Sequence, residues 1–208
     1  MVITPPAGLK MSKMVPITYR GDGVRMNIRT SSRDMMVKQT TGHFEIGRSP
    51  VNYEEFAEYL TGINAFLPIE FKDPAKAKDP VRVEKSDAED YLEWVSNRTG
   101  SDFRLPTETE WHYAVWDPNA MIVNIAWDPE GLQFIVPGRS SKSLEIEFKP
   151  APLGSDYWEW MEDEHKLFRK DETVRVIRGI SGDGHIYRKE ISADTQLFAA
   201  FRMARNIK

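Results

Sequence analysis

A chain of 208 residues with 40% hydrophobic and 11% aromatic residues can hold one large core or two small ones, and it is too apolar to stay disordered. It contains no cysteine, which excludes disulfides, thiolate nucleophiles and cysteine-ligated metals. A net charge of -4 gives no general pull toward phosphate backbones, and no local basic patch argues for nucleic acid.

The first stretch, MVITPPAGLKMSKMVPITYR, has early prolines and no long apolar run, so it does not read as a secretory signal. No segment approaches the roughly 20 apolar residues that span a bilayer. The expectation is cytoplasmic synthesis, with incorporation into a particle such as a virion as the other route out of the cell. Residues 1–42 lack clear periodicity and read as an N-terminal arm or irregular extension, able to dock on a protein partner or neighbouring subunit. Residues 43–208 read as the domain.

HFEIG (43–47) alternates as a strand and runs into the first helix. In NYEEFAEYLTG, Asn52 caps, Glu55 sits at the third position, Phe56 and Leu60 face inward and Gly62 closes the helix. LPIEFKDPAKAKDPVRVEK has three prolines and mixed charge, which marks an exposed connection. SDAEDYLEWVSNRTG repeats the device with Ser86 as cap and Glu89 at N3. Its buried stripe is Ala88, Tyr91, Leu92 and Val95, and Gly100 is a left-handed stop. In DFRLPTETEWHYAV, Thr107 caps and Glu110 reaches back, while Pro106 and Trp111 take the staple positions.

Strands fill the rest. AMIVNIAW (120–127) and LQFIVPG (132–138) flank the turn signature DPEG as a hairpin. LEIEF (144–148), VRVIRG (174–179) and FAAFRMAR (198–205) read as further strands. Helices first and short strands afterwards give an α+β class with a largely antiparallel sheet and two to three helices.

Five stretches in order resemble the formylglycine-generating enzyme (sulfatase-modifying factor) family, a branch of the C-type-lectin-like fold. They are FEIGRSPVNYEEFAEYL (44–60), the run 79–115 with Arg104-Leu105-Pro106-Thr107-Glu108 and Glu110-Trp111, YWEWMED (157–163), RVIRGISGDG (175–184) and FAAFRMAR (198–205). The resemblance implies a formylglycine-generating-enzyme-like domain over 43–208. It also implies, for the oxidase members, paired cysteines that hold copper and activate oxygen, and this chain has none. Further departures are Ile180 in place of the second Gly of Arg-Gly-Gly, Ala200 before Phe-Arg, and Ser155-Asp156-Tyr157 where Gly-Asn usually stands. No cofactor is expected, with calcium left open.

The acidic run WEWMEDEH reads as a solvated turn after a buried Trp pair, with a metal or acid–base site as the alternative. The four histidines show no HxxH or HExxH spacing. SGDGHIYRKE (181–190) offers Asp183, His185, Tyr187 and Arg188 on a glycine-flanked loop, either a ligand cradle or a plain connection. Trp116 and Trp127, each heading Trp-Asp-Pro, are candidate exposed aromatics at an interface. Arg104 and Arg178 read as internal organisers, and Trp111, Trp158 and Trp160 as core. No catalytic residue and no metal ligand is assigned.

These features point to a non-catalytic recognition or assembly module that displays loops to a receptor or glycan, in the manner of a phage or viral surface protein. Two rivals remain: a metal-dependent oxygenase of the same superfamily, and an inactive partner that regulates an active homologue.

Overall fold

The computed structural model describes residues 9–17, 24–29, 35–40, 43–115, 124–128, 131–135, 157–167, 172–180 and 186–207, with the strands at 24–29, 35–40, 124–128 and 131–135 described by backbone alone. In chain order these give β1 (Met14–Ile17), β2 (Val24–Arg29), β3 (Met35–Thr40), β4 (Phe44–Gly47), α1 (Tyr53–Gly62), a short 3-10 turn (Ile69–Lys72), α2 (Lys85–Thr99) and α3 (Glu108–Val115). The strands β5 (Asn124–Asp128), β6 (Gly131–Ile135), β7 (Tyr157–Leu167), β8 (Glu172–Ile180), β9 (Ile186–Ser192) and β10 (Ala204–Asn206) follow. Among the described residues no helix is long and apolar enough to cross a membrane.

The strands form three sheets, ordered β1-β4-β10, β2-β3 and β5-β6-β9-β8-β7, and all named pairs are antiparallel. The class is α+β, but strands also precede the first helix. Met14–Ile17 lies within the stretch expected as an arm, yet it pairs residue for residue with Phe44–Gly47 in the domain's own sheet. Val15 is buried there beside Phe44 and Ile46.

Helix starts follow local hydrogen-bond supply. At α1 Asn52 accepts from Glu55 N at 3.0 Å and Glu55 returns the bond to Asn52 N at 2.8 Å. Gly62 is the last helical residue instead of the stop, and the left-handed turn falls on Asn64 at φ 56°. A side chain at 62 would meet the Trp94 ring at 2.8 Å, so the glycine serves close helix packing. The α2 helix begins two residues earlier than Ser86 would set it, with Glu84 at the N-cap and no side-chain cap bond. Lys85 is drawn inside because its ammonium bonds Glu164 at 2.8 Å and the Glu162 carbonyl at 3.2 Å, which pulls that residue into the first turn. Gly100 ends α2 at φ 67°.

The main core lies between α1, α2 and one face of the five-stranded sheet, with Phe56, Tyr91, Leu92, Trp160, Ile177 and Phe201 among its buried members. Sheet register decides what faces it. Trp160 pairs Ile177, and Trp158 pairs Gly179, so these share the helix-facing side. Alternate residues, Glu159 on β7, Arg178 on β8 and Arg188 and Glu190 on β9, turn to the opposite face, toward α3.

Three expectations change here. The acidic run 158–165 is not a turn but the body of β7, bent by a register shift between Trp160 and Glu164. Tyr187 and Arg188 lie on β9, not on a loop. The segment 198–205 is strand only at its end, and earlier it is stitched in by single bridges from Ala199 to Val83 and from Ala200 to Glu159. The predicted strand 144–148 lies outside the described residues.

Candidate functional site

A layer of acidic and basic side chains, most of them buried, lies between α3 and the polar face of the sheet. Its first cluster centres on Glu108, at the start of α3. One carboxylate oxygen accepts from Arg178 Nη2 at 2.7 Å and from Arg188 Nε at 2.5 Å. Glu108 and Arg178 have no solvent exposure. Arg188 Nη1 reaches Glu190 at 2.6 Å, and the same Glu190 oxygen lies 3.1 Å from His165 Nε2. The chain His165–Glu190–Arg188–Glu108–Arg178 therefore runs through α3 and three adjacent strands.

The second cluster sits on Glu159 in the middle of β7. Arg202 grips this carboxylate through Nε and Nη2, and Trp111 Nε1 donates to it at 2.8 Å. Arg202 Nη1 donates to the carbonyl of Arg48 at 2.9 Å, which ties the end of β4 into the same point.

The third joins the loop before α3. Arg104 makes a two-pronged contact with Glu110, both at 2.7 Å, and reaches Asn206 Oδ1 at 2.6 Å. Glu110 also accepts from Thr107 N at 2.8 Å, while Glu110 N donates to Thr107 Oγ1 at 3.2 Å. This is a complete capping box at α3. The Asp163 carboxylate adds an acceptor for Glu108 N at 2.5 Å, and a negative charge at a helix N-terminus is favourable.

Burial sets the electrostatics. Enclosure pushes Arg178 down to about 10, against the pull of Glu108, while the neighbouring Arg188 adds repulsion. Arg188 is opposed by burial too, but Glu108 and Glu190 outweigh it and hold its guanidinium above the ordinary value. Both stay cationic at neutral pH. His112, on α3, is pushed down to about 3 by burial and then by Arg178. The residue as a whole keeps some exposure, but its Nδ1 is fully enclosed, and the enclosed ring governs its proton.

A different kind of site lies at one end of the five-stranded sheet. Asn124 pairs Ile135, Phe134 pairs Ile186, and Ile186 pairs Ile180, which pairs Tyr157. The beginnings of β5, β7 and β9 and the ends of β6 and β8 therefore share that end. Close to it, Trp158, Gly179 and Tyr187 stand in one cross-strand row. With no side chain between them, the Trp158 and Tyr187 rings meet across β8 with centroids 6.1 Å apart, both half-buried.

The expected ligand residues divide accordingly. Tyr187 is at this sheet end, whereas Arg188, the next residue, points the other way and is buried in the ionic layer. Trp116, Asp183 and His185 lie outside the described residues, and Trp127 is placed by backbone only, opposite Leu132. Of the expected structural residues, Trp160 donates from Nε1 to the Val83 carbonyl at 2.9 Å, and Trp111 is fully buried. Sequence reasoning missed Glu108, Glu159, Glu190 and Arg202 as members of one layer. The available signal was an arginine or glutamate inside otherwise apolar strand patterns, as in VIRGI, WEW and AFRMA.

The family model for the sulfatase-modifying factor enzyme 1-like domain matches residues 13–117, which hold β1, α1, α2, α3 and the Arg104–Glu110 box. The chain belongs to that family. The matched range starts at β1, well before residue 43. Among solved structures, PvdO from Pseudomonas aeruginosa is similar in fold, with a TM-score of 0.54, 16% sequence identity, and coverage of 94% of this chain and 95% of that one. No curated protein matches the chain. This sulfatase-modifying factor-like chain has no cysteine anywhere in its sequence.

Proposed function

We propose that this family member is a non-catalytic recognition or assembly module, and that its ligand meets the sheet end marked by Trp158 and Tyr187. The observation that carries the reading is the closure of Glu108 and Glu159. Each is fully buried and paired with guanidinium from distant parts of the chain, Glu108 with Arg178 and Arg188 and Glu159 with Arg202. A carboxylate enclosed in this way is out of reach of a substrate, whereas a general acid or base must come within hydrogen-bond distance of the proton it moves. The resemblance implies a cysteine pair for oxidase members, and its absence removes the thiolate route to copper as well.

The sheet end supplies what recognition needs. A pair of half-buried aromatic rings sits on rigid strands, and such rings contribute contact area at low entropic cost. In its most specific form the proposal is a phage or viral particle component that displays this end of the sheet, an extension by analogy of fold.

The test is binding of the full chain to immobilised glycan and protein arrays, with oxygen uptake of the copper- and iron-supplemented chain measured alongside. The expected result is saturable binding to one ligand class, abolished by Tyr187→Ser without a change in the unfolding midpoint. Oxygen turnover, or binding indifferent to Tyr187→Ser, would reject the reading.

A further inference from the structure

The connection that leaves α1 is apolar and uncovered. From residue 63 to 69 the chain reads Ile-Asn-Ala-Phe-Leu-Pro-Ile, without a charge. Ile63, Phe66 and Ile69 are 47%, 85% and 77% exposed. Single exposed apolar residues are ordinary, but three large ones gathered in one short loop mark an interaction surface.

The loop is firmly held at both ends. Asn64 N and Ala65 N bond back to the carbonyls of Thr61 and Leu60 at 3.1 and 2.8 Å, which folds the helix end into a fixed turn. At the far end Phe71 stacks on Phe56 and tilts against Tyr53, with centroids 6.0 and 4.9 Å apart. The apolar tip is thus carried on a stem fixed to the core, which lowers the entropy cost of docking it.

Beside the tip lies an open groove of about 500 Å³ between α1 and the 3-10 turn. Gly62, which lines the groove, is the residue immediately before the tip. The groove's apolar surface comes from Ala57, Phe71 and Ala77. Its rim carries Lys10, Lys72 and Arg98 together with Glu54, Glu58 and Asp73. Glu54 is itself paired with both Lys10 and Lys78.

We propose that this face pairs with the same face of a second copy of the chain, each Phe66 entering the other's groove about a two-fold axis. Such an interface requires projection and recess on one surface, and here they adjoin along the chain. It also requires a rim that tolerates its own image. Three cations and three anions do so, whereas a one-sign rim would repel its copy. The same balance disfavours an anionic lipid surface, which selects for excess Lys and Arg. This inference stands apart from the proposed ligand site, since no readout below involves Tyr187 or the sheet end.

Sedimentation equilibrium of the full chain tests it. The expected result is a concentration-dependent dimer that Phe66→Ser and Ile69→Ser each weaken by about tenfold or more, the range of a central interface anchor. Ala57→Trp, which fills the groove from inside, weakens it likewise, while Phe198→Ser, at another exposed aromatic, leaves it unchanged. Circular dichroism of each variant verifies that the fold is kept. A chain that stays monomeric at about 100 μM, well above the range of specific association, overturns the proposal. So does a dimer that survives Phe66→Ser or Ala57→Trp, or lipid-vesicle binding by a monomer.

Discussion

Arg202 and Glu159 meet in the middle of the molecule with neither side chain reached by solvent, Nε 2.7 Å from one carboxylate oxygen and Nη2 2.8 Å from the other. The pair joins β7 to the closing segment of the chain, residues 43 apart. Removing one member strands the other as a buried charge. Glu159→Leu is expected to cost about 3–5 kcal/mol of stability, because the desolvation of Arg202 is no longer compensated. Replacing both by apolar residues is expected to cost much less than the sum of the single changes. Urea unfolding of the two single variants and the double variant measures this, and simple additivity would show that the pair is not coupled.

Gly179 presents a steric case. A Cβ there would sit 2.8 Å from Trp158 Cε3 and closer still to the Tyr157 carbonyl. Gly179→Ala is expected to destabilise by about 1–3 kcal/mol through overpacking, and to alter the near-UV signal of Trp158 as its ring leaves Tyr187. Gly100 is the contrast, since nothing lies within 4 Å and only φ +67° opposes a side chain. Gly100→Ala is expected to cost about 1 kcal/mol from backbone strain, with no change in aromatic signal. Equal spectra for both variants would argue against a ring contact made over Gly179.

The caps show how far a sequence can be read, because a cap is decided within four residues. Asn52 with Glu55, and Thr107 with Glu110, are legible for that reason. Ser86 misleads because Lys85 is drawn inward by Glu164, a residue 79 positions away that no local pattern contains. The same distance hides the site. Glu108 finds Arg188 across 80 residues, and Glu159 finds Arg202 across 43, so within WEWMEDEH itself no partner for the buried carboxylate is visible. β1 and β3 carry no alternation and are made strands by their pairings, while β2 alternates as Val-Arg-Met-Asn-Ile-Arg over one short run inside an otherwise aperiodic stretch. The fold was legible mainly as an ordered series of short motifs, and the ionic layer only as isolated charges in apolar strands.

Two buried titratable groups give the pH dependence a shape. His112 has its pKa pushed down to about 3 from 6.5, so between those values the unfolded chain binds a proton that the folded chain does not. Its contribution therefore weakens the fold as pH falls below 6.5. Glu55 is pushed up to about 7 from 4.5 by burial, although the Asn52 backbone bond opposes the shift. Between 4.5 and 7 the folded chain holds the extra proton, so this group weakens the fold as pH rises. The two oppose each other from 4.5 to 6.5. Urea midpoints across this range are expected to fall more steeply with acid in Glu55→Gln, where only the histidine acts, and less steeply in His112→Gln. Identical slopes in the two variants would remove both groups from the account.

Thr107 tests the start of α3, which supplies Glu108, Trp111 and His112 to the buried layer. Its hydroxyl accepts from Glu110 N at 3.2 Å, while Glu110 is held from the other side by the fork of Arg104. Thr107→Ala removes only the first of these bonds. The expected loss is about 1 kcal/mol, or roughly 2–4 °C in Tm for a chain of this size. Thr107→Ser is expected to be nearly neutral, since serine caps as well as threonine. Glu110→Gln is expected to cost more than Thr107→Ala, because it weakens the charged pair with Arg104 at a residue only 2% exposed. If thermal unfolding ranks alanine at 107 with serine, the hydroxyl is not the cap, and the placement of Glu108 must come from Asp163 and the two arginines alone.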